Sequence, residues 1–105
     1  MIMDTWIEVM AADAIEPDNA VGVVINGRDI AIYNDGGEFF ATDNICTHAQ
    51  AFLCDGFLEN GEIECPLHQA RFDIRTGKVM REPAIDDIET FPVKVEAGRV
   101  FVKIE

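Results

Sequence analysis

Apolar and polar residues alternate along short stretches near both ends of the chain, and this two-residue period is typical of β-strands with one buried face. The stretch 99–105 shows the pattern most plainly, with aliphatic residues on one face and mostly charged residues on the other. Residues 21–25 and 29–33 flank Asn26-Gly27, which favours a tight hairpin because both turn residues tolerate positive φ. No amphipathic helix of any length is indicated. The pattern predicts an all-β chain.

The remaining alternation predicts six further short strands, at 6–9, 38–42, 62–64, 70–74, 79–80 and 90–96. A chain of 105 residues is sufficient for one domain with a modest core. Between residues 44 and 83, glycines, a proline and candidate metal ligands interrupt the strand pattern. We expect an antiparallel β-sandwich or barrel as a base, formed by residues 1–43 and 84–105, with a smaller subdomain of residues 44–83 inserted between them.

Candidate metal ligands form two short motifs in the inserted subdomain, Cys46-x-His48 and Cys65-x-x-His68. They use both histidines of the chain and two of its three cysteines. Thiolate and imidazole bind soft or borderline metals. Two cysteines and two histidines match the ligand set of a Rieske [2Fe-2S] centre, in which two histidines replace two cysteines on one iron. In an extended loop the paired ligands can point the same way, so each loop can supply one ligand to each iron.

A structural zinc site is the alternative use of this ligand set, since zinc also binds two cysteines and two histidines. Zinc ligands are usually separated by more than one residue, so the single residue between Cys46 and His48 fits a zinc site poorly. The third cysteine, Cys54, lies outside both motifs. We interpret Cys54 as a small apolar residue without a ligand role.

The net charge is −12, and all of the acidic excess lies in the first two thirds of the chain. Residues 1–70 contain thirteen acidic residues and one basic residue, Arg28, whereas residues 71–105 contain seven of each kind. This excess is compatible with a solvated surface and with attraction to a positively charged partner. It disfavours nucleic acid and anionic membranes as partners.

The first residues of the sequence contain no basic region and no long apolar run, and nowhere do eighteen apolar residues follow one another. We therefore expect no membrane partner. A cytoplasmic location is expected, because reducing conditions there keep thiolates available for iron.

The chain resembles Rieske-type ferredoxins almost end to end, and most closely the ferredoxin components of bacterial aromatic-ring-hydroxylating dioxygenases of the naphthalene dioxygenase kind. The likeness is densest at residues 41–48, 63–68 and 91–94, which read Ala-Thr-Asp-Asn-Ile-Cys-Thr-His, Ile-Glu-Cys-Pro-Leu-His and Phe-Pro-Val-Lys. It implies the Rieske fold and one [2Fe-2S] cluster.

The same resemblance implies a role for each ligand and for the protein. Cys46 and Cys65 would bind one iron, and His48 and His68 the other. Ferredoxins of this family carry one electron at a time from a flavin-containing, NAD(P)H-dependent reductase to a terminal oxygenase with a Rieske centre and a mononuclear iron. The chain would then be an electron carrier and not an enzyme by itself, and we expect it to be a monomer.

This chain differs from the high-potential Rieske proteins at several positions, and the differences argue against membership of that class. Those proteins join their two ligand loops by a disulfide, whereas this chain has Ala51 and Leu67 at the corresponding positions. They also place serine and tyrosine hydroxyls near the cluster, where this chain has Ala70 and Phe72. Hydrogen bonds to the cluster raise its reduction potential. We therefore expect a potential near the low end of the Rieske range, about −150 mV.

Two small cytosolic classes of Rieske protein fit the sequence. One is the dioxygenase ferredoxin, and the other is the Rieske-like small subunit of a different redox enzyme, such as assimilatory nitrite reductase. A zinc-stabilised binding module is the alternative from another class. The sequence identifies neither the reductase nor the aromatic substrate, which belongs to the oxygenase.

Overall fold

The computed structural model describes residues 5–47 and 50–104. Within these ranges the chain forms eleven β-strands: β1 (Thr5–Ala11), β2 (Asn19–Ile25), β3 (Arg28–Asp35), β4 (Glu38–Asp43), β5 (Phe57–Glu59), β6 (Glu62–Glu64), β7 (Arg71–Asp73), β8 (Val79–Arg81), β9 (Thr90–Phe91), β10 (Val93–Glu96) and β11 (Arg99–Ile104). Short 3₁₀ turns at Ala12–Ala14 and Leu53–Asp55 are the helical elements of the described residues, and neither is long enough to span a membrane. The all-β prediction is confirmed.

The strands form three sheets in which every pairing is antiparallel. A three-stranded sheet has the order β1-β11-β10, a four-stranded sheet has the order β2-β3-β4-β9, and the third, here called the small sheet, has the order β5-β6-β7-β8. The predicted β2–β3 hairpin is present, with Ile25 paired to Arg28 around the Asn26-Gly27 turn. Both turn residues have positive φ, 53° and 78°.

The predicted strand at 90–96 is wrong in one respect, because the structure divides it at Pro92. β9 pairs with β4, where Ala41 lies opposite Phe91, while β10 pairs with β11. Proline has no N–H to donate to a neighbouring strand, so an unbroken ladder through Pro92 is unfavourable. The chain therefore passes from one sheet to another at this residue.

A first core, here called the sandwich core, lies between the three-stranded sheet and the sheet that contains β3. Its buried members are Ile15, Ile25, Ile30, Ile32, Ala41, Phe91, Val100, Val102 and Ile104. Both sheets contribute aliphatic side chains to it, as expected for an antiparallel sandwich. The alternation predicted for the last strand is present, since its three buried aliphatic residues all face this core.

A second core, here called the cysteine core, lies between the other face of the β3-containing sheet and the small sheet. Its buried members are Ala31, Tyr33, Cys46, Leu53, Ile63, Cys65, Ala70, Phe72, Ile74, Ala84 and Ile88. β3 contributes to both cores, because successive side chains of a strand point to opposite faces. Ile30 and Ile32 face the sandwich core, whereas Ala31 and Tyr33 face the cysteine core.

Candidate metal centre

The first ligand loop begins where β4 ends and is closed by backbone hydrogen bonds. The N–H of Leu53 donates to the carbonyl oxygen of Asn44 at 2.7 Å, and the N–H of Cys46 donates to that of Ala51 at 3.0 Å. Asn44 is itself tied to the sandwich, because its N–H donates to the carbonyl oxygen of Asp29 at 3.0 Å. These bonds hold Cys46 in the cysteine core with 4% of its surface exposed.

The side chain of Asn44 closes the same loop a second time through Cys54. The Oδ1 atom of Asn44 accepts the Cys54 N–H at 2.8 Å, and its Nδ2 donates to the Cys54 sulfur at 3.2 Å. Burial is the main cause that raises the pKa of the Cys54 thiol. Cys54 is therefore a neutral, half-buried thiol that participates in closing the loop. Its role was not recognised in the sequence because Asn44 lies ten residues away.

The second ligand loop joins β6 to β7 and repeats the closure of the first. The N–H of Cys65 donates to the carbonyl oxygen of Ala70 at 2.7 Å, five residues ahead, as Cys46 does to Ala51. Between them the chain turns sharply, with positive φ of 66° at His68 and 61° at Gln69. Cys65 is 1% exposed, whereas His68 is exposed.

The two loops bring the predicted cysteines together in one core. Cys46 and Cys65 are both buried in the cysteine core, and each lies within range of the other's electrostatic influence. Burial raises the pKa of the Cys65 thiol to about 11; the Leu67 N–H works against this shift and the Cys46 thiol adds to it. Two free cysteines buried in the same core fit one side of a metal–thiolate centre.

The structure describes only one of the two predicted histidine ligands. His68 lies on the exposed part of the second loop, while His48 lies outside the described residues. Among the residues that are described, no three histidine, cysteine or acidic side chains converge on a site for one metal ion. The structure therefore brings together two of the four predicted ligands and places a third on the loop that carries one of them.

A third segment, residues 82–88, lies against the first ligand loop. The hydroxyl of Thr47 donates to the carbonyl oxygen of Asp86 at 2.9 Å. The segment is also tied to the small sheet, since the Val79 N–H donates to the Asp87 carboxylate at 2.9 Å and the Ile88 N–H to the Gly77 carbonyl at 2.8 Å. Three segments thus converge around the buried cysteines.

Gly56 allows the second ligand loop to approach the rest of the subdomain. Its φ is −90°, so its conformation is accessible to any residue. A Cβ atom at this position would nevertheless overlap the carbonyl oxygen of Glu64, which belongs to the peptide bond leading into Cys65. Nothing in the local sequence indicates this contact, because Gly56 and Glu64 are eight residues apart.

Comparisons with known proteins agree with this geometry. Residues 5–92 match the family model of the Rieske [2Fe-2S] domain. The chain is 53% identical over 100 residues to the ferredoxin component of the naphthalene 1,2-dioxygenase/salicylate 5-hydroxylase systems of a Ralstonia species, covering 95% of this chain and 96% of that protein. It is 48% identical over 99 residues to the naphthalene 1,2-dioxygenase ferredoxin component of Pseudomonas putida, covering 94% and 95%.

Solved structures similar to this chain also include ferredoxins of dioxygenase systems. The ferredoxin of carbazole 1,9a-dioxygenase from Nocardioides aromaticivorans IC177 has a TM-score of 0.89 at 33% identity, covering 93% of this chain and 96% of that one. A chain from the complex of reduced oxygenase and oxidized ferredoxin in carbazole 1,9a-dioxygenase has a TM-score of 0.88 at 36% identity, covering 92% and 91%.

A protein assigned as an NADH-dependent nitrite reductase small subunit from Mycobacterium tuberculosis has a TM-score of 0.88. It is only 21% identical while covering 99% of this chain and 98% of that one, so this likeness concerns the fold alone.

The family match also decides between iron–sulfur and zinc chemistry for the cysteine and histidine motifs. The chain belongs to the Rieske [2Fe-2S] family, among the ferredoxin components of naphthalene and related dioxygenase systems, and its cofactor is a Rieske-type [2Fe-2S] cluster.

Proposed function

We propose that this protein carries single electrons from a flavin-containing, NAD(P)H-dependent reductase to the terminal oxygenase of an aromatic-ring-hydroxylating dioxygenase. The observation that carries the proposal is the match, over nearly the whole chain, to proteins named as ferredoxin components of dioxygenase systems. The protein is then a carrier and not an enzyme by itself. The nitrite reductase alternative is supported by likeness of fold only.

In this proposal Cys46 and Cys65 hold one iron, and His48 and His68 hold the other. The bound cluster supplies one-electron redox chemistry. The chain keeps the cysteine sulfurs out of water, in the cysteine core, and leaves His68 at the surface. The buried side is therefore the cysteine side, and partners approach the histidine side.

Exposed apolar residues next to the ligand loops are the proposed contact surface. Phe52 follows the first loop and is 45% exposed, while Leu67 stands beside His68 and is 46% exposed. Ile85, on the segment held by Thr47, is 85% exposed. Large apolar side chains grouped at a surface favour a protein partner. Since they lie beside the loops that hold the cluster, a partner bound there would be close to it.

The remaining parts of the proposal concern organisation and location. The base comprises residues 1–43 and 84–105, and residues 44–83 form the cluster-binding subdomain, which is supported by the small sheet lying within the latter range. The protein acts as a monomer in the cytoplasm. The three cysteines are free, which is compatible with a reducing compartment.

Electron flow provides the test of the function. Purified protein should restore NADH oxidation that depends on an aromatic substrate when it is mixed with the reductase and terminal oxygenase of a dioxygenase system. It should not restore electron transfer in an assimilatory nitrite reductase lacking its small subunit. The reverse pattern would select the nitrite reductase alternative.

Ion pairs in the folded protein join residues 1–70, which carry the acidic excess, to residues 71–105. Three arginines of the second part pair with carboxylates of the first part: Arg71, Arg75 and Arg81. Exposed acidic residues next to the ligand loops include Asp86 and Asp87, which come from the neutral part of the sequence. The acidic surface near the ligand loops therefore includes residues from the neutral part of the sequence.

Reduction by the reductase at limiting concentrations should slow several-fold between about 0.01 M and about 0.15 M salt, where the Debye length falls from about 30 Å to about 8 Å. Asp86→Asn should weaken this dependence, because it removes an exposed charge beside the first ligand loop. Asp13→Asn, at an exposed turn of the base, is the matched control and should behave like the parent. Stopped-flow kinetics measure the rates, and a rate that is flat or rises with salt would reject electrostatic steering.

Ala70 and Phe72 bear on the reduction potential, since both are fully buried in the core that contains the two cysteines. Neither carries a side-chain donor. Ala70→Ser and Phe72→Tyr should each raise the potential if the new hydroxyl reaches a sulfur, by about 60 mV for about 1.4 kcal/mol of preference for the reduced cluster.

Voltammetry of the two single variants and the double variant measures these shifts, and the double variant should lie highest. The parent protein should lie near about −150 mV. A parent potential well above zero, or a double variant that does not move upward, would show that these two positions do not set the value.

A further inference from the structure

Glu64 and Arg71 stand at the base of the second ligand loop. Glu64 immediately precedes Cys65, and Arg71 immediately follows Ala70, whose carbonyl oxygen accepts the Cys65 N–H at 2.7 Å. The two charged residues lie directly opposite each other in the pairing of β6 with β7. The Nη1 atom of Arg71 is 3.4 Å from Oε1 of Glu64. The ion pair therefore closes the loop one rung below the backbone bond.

The guanidinium of Arg71 also contacts two other glutamates. Its Nε atom lies 3.0 Å from Glu62 Oε1, and its Nη2 atom lies 3.6 Å from Glu59 Oε1 and 3.3 Å from the Glu59 carbonyl oxygen. The Nε atom is buried and makes no hydrogen bond in the described structure, so its short contact with Glu62 is an ion pair of bent geometry. Arg81 approaches Glu64 from β8 at 3.6 Å. One charge network thus joins all four strands of the small sheet.

The network is shielded where it meets the ligand loop. The side chain of Arg71 is 16% exposed and that of Glu64 is 19% exposed, against 46% for Arg75, which lies two residues beyond the end of β7. Shielded charges interact more strongly than exposed ones, because less water and salt lie between them. Arg71 and Glu64 also flank the loop that carries two ligands, so their charges act close to the cluster.

We propose that Arg71 is a positioning residue for the cluster, and that its charge, set against Glu64, tunes the reduction potential. A reduced cluster carries one more negative charge than an oxidised one, so a nearby positive charge raises the potential and a negative charge lowers it. The guanidinium has a second effect, because its fork holds the two arms of the loop at a fixed separation. The proposal rests on the [2Fe-2S] cluster of the proposed carrier and not on which partners it serves.

Removing the positive charge of Arg71 and removing the negative charge of Glu64 should shift the potential in opposite directions. Arg71→Gln should lower the midpoint potential and accelerate loss of the cluster, while Glu64→Gln should raise the potential. The double variant should lie between the two single variants, near the parent value. Arg75→Gln is the matched control, because Arg75 pairs with Asp35 and Glu38 away from the ligand loops, and it should leave the potential unchanged.

Protein-film voltammetry, the EPR spectrum of the reduced cluster and the rate at which colour is lost are the three readouts, and none of them requires a redox partner. Arg71→Lys keeps the charge but not the fork, so it should retain the parent potential and lose the cluster faster. If Arg71→Gln cannot hold a cluster, Glu64→Gln and Arg71→Lys decide the matter. Potentials that do not move, or that move in the same direction for Glu64→Gln and Arg71→Gln, would overturn the proposal.

Discussion

Cys65→Ser should yield a protein without the brown colour of a Rieske cluster, and Cys46→Ser should do the same. Both cysteines are almost wholly buried in the same core, so no water or alternative side chain can replace a lost thiolate there without rearrangement of the core. Each iron needs two protein ligands besides the bridging sulfides. The visible absorption spectrum and the iron content per chain measure the result, with two iron atoms expected in the parent protein.

His48→Ala and His68→Ala should also lose the cluster or hold it only transiently. Cys54→Ser is the control, because the Cys54 thiol bonds to Asn44 and lies outside both ligand motifs. The serine variant should stay brown. The ligand assignment would be contradicted by a colourless Cys54→Ser variant together with a His48→Ala variant that keeps a normal spectrum.

Gly56→Ala is expected to have the second largest effect, although residue 56 binds no metal. The added methyl group would overlap the Glu64 carbonyl oxygen and would lie 3.0 Å from its carbon and 3.2 Å from the carbonyl oxygen of Leu53. All three atoms are backbone, so relief requires movement of the peptide that leads into Cys65. We expect a loss of about 3 kcal/mol or more in the free energy of unfolding, together with a large loss of bound iron.

Gly98→Ala separates this steric effect from backbone strain. Gly98 has a φ of 75°, so alanine is strained there, but beyond the two adjacent residues no heavy atom lies within 4 Å of the added methyl group. The expected cost is about 1 kcal/mol, with normal iron content. Denaturant unfolding and iron analysis of the two variants provide the comparison. A Gly56→Ala variant as stable and as iron-rich as Gly98→Ala would show that the contact with Glu64 does not position the loop.

Local patterns were sufficient to predict most of the strands. The β2–β3 hairpin follows from two apolar runs around Asn26-Gly27, because turn residues with positive φ and alternating side chains are properties of neighbouring residues. β6 was predicted at its observed bounds, Glu62–Glu64. The separation at Pro92 was missed, because alternation on both sides of a proline resembles one strand when the partner strands are unknown. β5 was missed because its sequence, Phe-Leu-Glu, begins with two adjacent apolar residues and does not alternate as Glu62-Ile63-Glu64 does.

At the candidate metal centre, too, features set by neighbouring residues could be predicted, whereas those set by residues distant in sequence could not. The motifs that contain Cys46 and Cys65 are local, so the ligands could be proposed from spacing, and the structure brings these two residues together in the cysteine core. The residues that hold the loops were not predicted, because their partners are distant in sequence. Asn44 meets Cys54 and Gly56 meets Glu64 only after the strands have paired. The distribution of charge along the sequence did not predict the charge around the ligand loops, because ion pairs between strands join acidic residues of the first part to arginines of the second part.

The position of β3 between the two cores has a thermodynamic consequence. Ile30 and Ile32 belong to the sandwich core, and Ala31 and Tyr33 belong to the cysteine core, so neither core can open without exposing one face of the same strand. A ligand that binds only the native chain adds its binding free energy to the stability of every segment that unfolds with the site. Cluster binding in the inserted subdomain is thereby linked to the stability of the sandwich, and loss of iron should lower the cooperativity and melting temperature of the whole chain.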